Sequence, residues 1–156
     1  MRLAGSTSVL LVALVLGCQA TRPYKSEQPA NLTFSAQLRP AFLSRTKVSL
    51  DIFFGDECER TYQGSVALRP GDPPVRIGLP TDQEIYARLF LVSGNKTRSD
   101  EFRFRPLRGS EYALEYVHEK KAYGKRLMAR DGRTGKASEL ETSDWNACTS
   151  HAKANR

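Results

Sequence analysis

The sequence predicts an all-β domain, an antiparallel β-sandwich of about seven or eight strands, with a small β-barrel as the alternative. Three observations carry this expectation. Apolar residues recur at period two along most of the 156 residues, clusters of Pro, Gly and Asp interrupt the runs, and no stretch has the spacing of an amphipathic helix.

The elements follow in chain order. Residues 32–38 open the series. Residues 47–54 put Val48, Leu50, Ile52 and Phe54 on one face and Lys47, Ser49, Asp51 and Phe53 on the other. Residues 58–68 come next, with Tyr62, Val66 and Leu68 read onto one face. Arg69-Pro70-Gly71-Asp72-Pro73-Pro74 is a turn, because proline presets φ and glycine permits a positive one. Residues 75–79 alternate again until Pro80-Thr81-Asp82. Residues 85–92 form the least polar strand, expected at a sheet centre. Residues 101–107 turn Phe102 and Phe104 inward and Arg103 and Arg105 outward. Arg108-Gly109-Ser110 then leads into 112–119, and 123–130 precede the hairpin loop Asp131-Gly132-Arg133-Thr134-Gly135.

Residues 1–17 read differently. They hold one basic residue, Arg2, a small-residue stretch and the apolar run from Val9 to Leu16, the pattern of a signal peptide. The run is too short for a hydrocarbon core that needs about 20 residues. Val15-Leu16-Gly17-Cys18 resembles the lipobox of bacterial lipoproteins. That resemblance implies cleavage before Cys18, a diacylglycerol on its sulfur and an acylated (palmitate-type) amino terminus. Each buried methylene contributes about 0.8 kcal/mol, so several chains hold a protein durably where one does not. In enterobacterial lipoproteins an Asp after the cysteine retains the protein at the inner membrane. Gln19 stands there, so the resemblance implies the outer membrane, facing the periplasm.

With Cys18 lipidated, two of the three cysteines remain, Cys58 and Cys148, in a compartment that permits disulfides, and they are expected to pair. A bridge closing a loop of roughly 90 residues is worth on the order of 4 to 5 kcal/mol in the chain-entropy view. The chain then divides into a signal peptide (1–17), a lipidated cysteine with a flexible tether (18–31), one sandwich domain (32–148) and a disordered tail (149–156). Extended, the tether would reach roughly 40 Å. Most of the mature chain looks like the small periplasm-facing lipoproteins with an immunoglobulin-like or transthyretin-like sandwich. This resemblance rests on the lipobox, on Cys58-Glu59-Arg60-Thr61-Tyr62-Gln63-Gly64 opening a strand, and on the Gly109-Ser110-Glu111-Tyr112 turn before a Tyr-rich strand. It implies no particular function. Tyr112 suits either a sandwich-corner hydrogen bond or a core position with a wet tip.

Enzyme chemistry is not expected. A hydrolase needs a base that titrates near working pH, and the two histidines are His118 at a strand end and His151 in the tail. The acidic run Asp56-Glu57-Cys58-Glu59 lacks calcium-loop spacing, no CxxC or HxxxH pair suggests another metal, and no cofactor is implied. Gly132-Arg133-Thr134-Gly135-Lys136 fails as a phosphate-binding loop, since Arg130 and Ala137 stand where it needs Gly and Ser or Thr.

Charge carries the remaining functional content. Removing 1–17 takes one base and no acid from 24 basic and 17 acidic side chains, leaving an excess of six. A basic domain is drawn to anionic lipids and phosphates. Arg98, Arg103, Arg105 and Arg108 crowd one stretch, and Arg grips phosphate or carboxylate in a bidentate way. These four are the candidate anion or partner site. The expected partners are the membrane, through the lipid, and an envelope protein or anionic envelope polymer. The compartment argues against nucleic acid. The competing expectation is an inhibitor or immunity-type lipoprotein that caps a periplasmic enzyme through a protruding loop or an exposed aromatic patch around Phe53, Trp145 or Tyr24.

Overall fold

Residues alternating at period two bury one face of a strand, and two such sheets cover each other's apolar sides. The computed structural model describes residues 21–39, 45–56, 58–118, 123–143 and 145. The chain is an all-β sandwich of two sheets, and neither closes into a barrel. Its strands are β1 (Leu32–Leu38), β2 (Thr46–Gly55), β3 (Arg60–Leu68), β4 (Val75–Ile77), β5 (Ile85–Ser93), β6 (Lys96–Phe104), β7 (Ser110–His118), β8 (Tyr123–Asp131) and β9 (Ala137–Glu139). One sheet runs β3-β2-β5-β6 and the other β4-β1-β7-β8-β9. The core joins Val48, Leu50 and Ile52 of β2 and Leu89 of β5 to Phe34 of β1 and Leu114 and Tyr116 of β7. The apolar β5 lies inside its sheet, between β2 and β6.

Four expectations need correction. First, the sandwich is not wholly antiparallel, because β1 runs parallel to β7 from Leu32↔Tyr112 to Leu38↔His118. The two strands are far apart in sequence, so no hairpin fixes their sense.

Second, Tyr62 does not share a face with Val66. The β2–β3 register slips between Ile52↔Gly64 and Phe53↔Tyr62, so Gln63 is an extra residue. Such a bulge reverses the facing of everything on its far side.

Third, β6 begins at Lys96, five residues before the expected start. Ser93 pairs with Lys96 across a two-residue turn in which Gly94 has φ +65°. That is the hairpin geometry that calls for glycine at the first turn position. Residues 96–99 are exposed, so no apolar alternation announces them.

Fourth, the segment before β1 is not a free tether from residue 22 onward. Tyr24 N donates to Ser65 O at 3.0 Å and Ser65 N to Arg22 O at 2.8 Å, so residues 22–24 cover part of the β3 edge. The Tyr24 hydroxyl donates to Gly78 O at 2.8 Å, and the Asn31 amide spans Leu79 by donating to its carbonyl and accepting its N–H. Gly64, at φ +143°, allows this approach, since a Cβ there would stand 2.6 Å from Tyr24 Cα.

Tyr112 takes the sandwich-corner role. Its ring is buried and its hydroxyl accepts the Leu107 N–H at 2.8 Å. Residues 1–17, Cys18, Cys148, His151 and the tail 149–156 lie outside the described residues.

Candidate functional site

The four arginines do not converge. Arg98 lies on the inner side of the exposed start of β6, with its guanidinium 3.7 Å from the Tyr123 ring centroid. Arg103, five residues on, alternates to the outer face opposite Tyr86, and its backbone pairs with Ser143. Arg105 meets Glu84 at 3.5 Å, and Arg108 meets Asp82 at 3.8 Å. A cluster in sequence is thus divided between two faces and a turn, and Arg105 and Arg108 each have an acid alongside.

Arg98 instead joins a basic mouth where the two sheets open. The β5–β6 hairpin forms one lip and the end of β7 the other, around a depression of about 670 Å³. Lys96, Arg98 and His118 supply its basic groups, Ser93 and Asn95 supply neutral polar side chains, and Thr97 completes the lip. No carboxylate is among its described lining. Asp100, next on Arg98's face, is held by Lys125 at 2.7 Å. Nδ1 of His118 is buried without a hydrogen-bond partner among the described residues. Leaving such a group unsatisfied costs about 1 to 3 kcal/mol. Below the mouth, Tyr116 and Tyr123 pack edge to face at 5.8 Å, and burial pushes the Tyr116 phenol far above its ordinary range, with Tyr123 adding to the effect.

A second depression, about 690 Å³, lies at the other end, beside Arg108, Arg130, Glu111 and Asp131. Its charges are mixed, and Arg76 meets Glu111 at 3.7 Å on its flank. The nearby loop after Asp131 has its amides occupied: the Asp131 carboxylate accepts the N–H groups of Arg133 and Thr134 at 2.7 and 2.8 Å. A phosphate-binding loop would need those amides pointing outward.

The acidic run is likewise a turn. The Asp56 carboxylate accepts the N–H groups of Cys58 and Glu59, each at 2.8 Å, and these bonds hold its pKa below the ordinary value. Among the described residues no three His, Cys, Asp or Glu side chains converge on a point. Ser65 Oγ donates directly to Asp51 at 2.5 Å and lies 2.6 Å from the Tyr62 hydroxyl, with no imidazole in this array to relay its proton.

The aromatic residues expected to form one exposed patch are divided, with Phe53 and Trp145 packed together and Tyr24 apart from them against Phe54. Trp145 is buried, its ring 4.9 Å from Phe53 and 6.3 Å from Tyr86. Arg60 and Arg88 flank the indole at 4.9 and 5.0 Å, and Arg60 Nη2 donates to the Trp145 carbonyl at 2.9 Å. Tyr24 is tied down by its hydroxyl and rests edge-on against Phe54 at 6.4 Å. Among the described residues, Leu107 is the strongly exposed large apolar side chain, at 56%.

Fold and site together define a nine-stranded β-sandwich, counted over the described residues, with a basic mouth between its sheets. No family model matches the chain, and no curated protein or solved structure is significantly similar to it.

Proposed function

We propose that the chain is a lipid-anchored, non-catalytic binding domain of the outer membrane's periplasmic face, and that it binds an anionic component of the envelope. The observation that carries this reading is the basic mouth: Lys96, Arg98 and His118 with no described acid among them, in a domain with a basic excess. Like-signed groups around a concave, partly desolvated space raise the local concentration of counter-charges. The expectation of a capping inhibitor has less support, because Phe53, Trp145 and Tyr24 are engaged within the domain.

Cys18 carries the lipid in this reading. The docked segment starts at Arg22, so three residues separate anchor from domain, and Cys18 to Arg22 spans about 13 Å when extended. The domain is held close to the headgroups. The Cys58–Cys148 bridge belongs to the same proposal. Arg60, two residues past Cys58, bonds Trp145, three residues before Cys148, so the two segments run close together. A bridge there would clamp the C-terminal segment over the outer face of β2 and β5.

Fractionation with vesicles tests the reading. The full-length wild type is expected in the membrane fraction and Cys18→Ala in the soluble one. Purified in neutral detergent, the chain should bind phosphatidylglycerol-doped vesicles better than pure phosphatidylcholine, with strong sensitivity to salt. Unchanged membrane retention of Cys18→Ala contradicts the anchor, and equal binding to both vesicles contradicts the anion preference.

A further inference from the structure

The mouth has features of a site for one compact anion rather than of a diffuse basic surface. Its three basic groups come from two elements, the β5–β6 hairpin and the end of β7, so they face a common space instead of a plane. The Arg98 guanidinium is oriented by stacking on Tyr123. An arginine held over a ring keeps its in-plane N–H groups free and loses less freedom on bonding an anion. Ser93 and Asn95 place a hydroxyl and an amide on the same lip, which suits a group with several acceptor oxygens. Asp100, the nearby acid on that face, is neutralised by Lys125 and so does not repel an anion. His118 Nδ1 is buried and has no hydrogen-bond partner among the described residues.

We infer that this mouth binds a phosphate group, with Arg98 and Lys96 supplying charge, the Ser93 hydroxyl and Asn95 amide supplying neutral donors and His118 lining the opposite lip. The inference rests on the proposed anion-binding role and narrows it to one site and one chemistry. Orientation follows from the fold. Residues 22–24 run parallel to β3 beside Ser65, so the chain reaches them from the side where β3 begins. The mouth lies where β3 ends, beyond Leu68, because Val48 pairs with both Leu68 and Leu91. The bound phosphate therefore faces away from the anchored end.

The test is calorimetric titration of the full-length chain, in neutral detergent, with inorganic phosphate. Saturable binding is expected, weakened on the order of tenfold or more in Lys96→Glu/Arg98→Glu. The same charge reversal at the far end, Arg76→Glu/Arg130→Glu, should change it by less than about twofold. Thermal unfolding establishes that both variants fold. His118→Gln should weaken binding as well. No saturable binding by the wild type, or equal weakening by the two double variants, overturns the inference. If phosphate fails while phosphatidylglycerol vesicles are still bound in a salt-sensitive way, the site falls and the broader reading stands. If both fail, both fall. Where phosphate binds, vesicle binding lost in Lys96→Glu/Arg98→Glu identifies a lipid headgroup as its source, and vesicle binding unchanged in that variant identifies a phosphate free of the bilayer.

Discussion

The Tyr112 hydroxyl accepts the Leu107 N–H at the corner before β7, and its ring packs 5.6 Å from Phe104. Tyr112→Phe removes the acceptor and keeps the packing. It should cost about 1 kcal/mol, read as a lower urea midpoint at unchanged slope; an unchanged midpoint would contradict the corner role. Asp56 and Asp131 make a pH-dependent statement. Backbone N–H groups hold both carboxyls below their ordinary 3.8. A depressed folded-state pKa stabilises above the unfolded value, and that contribution is lost as pH falls through the folded value. Both turns should therefore keep their amide shifts at pH 5 and change only below 3.8, at Cys58 and Glu59 in one and Arg133 and Thr134 in the other. An NMR midpoint at or above 3.8 contradicts the capping bonds. At this scale the turns were legible, since Asp beside Gly is local chemistry. The Arg cluster was not, because alternation sends Arg98 and Arg103 to opposite faces and the turn gives Arg105 and Arg108 separate acids.

Strand β5 was legible because an internal strand, flanked on both sides, is apolar almost throughout. The first half of β6 was not, because it extends past the core and its residues face water. Its readable signal was Gly94-Asn95, a hairpin turn between Ser93 and Lys96. The bulge at Gln63 left no mark either, since it is a mismatch between two strands and not a property of one. Docking of residues 22–24 escaped notice for a similar reason, as its bonds are between backbones. It depends on Gly64, whose positive φ and missing side chain let Tyr24 approach. Gly64→Val should strip hydrogen-exchange protection from the Tyr24 and Ser65 amides and destabilise by about 1 to 3 kcal/mol. Retained protection would show that the segment docks by other means.

For the whole molecule, docking turns a tether of thirteen residues (19–31) into a leash of three (19–21) and brings the sandwich to the membrane surface if Cys18 is the anchor. Trp145, with Arg60 and Arg88 around it, packs on the outer sheet face against Phe53. Mass spectrometry of the non-reduced protein should show Cys58 and Cys148 in one linked peptide. Two free thiols would contradict the bridge. The central claim is a phosphate site at the mouth, and shift mapping by NMR of the full-length chain during phosphate titration tests it most directly. The account predicts saturating shifts confined to residues 91–98, His118 and Tyr123. Shifts centred on Arg108 and Arg130, or scattered over the basic surface without saturation, would contradict it.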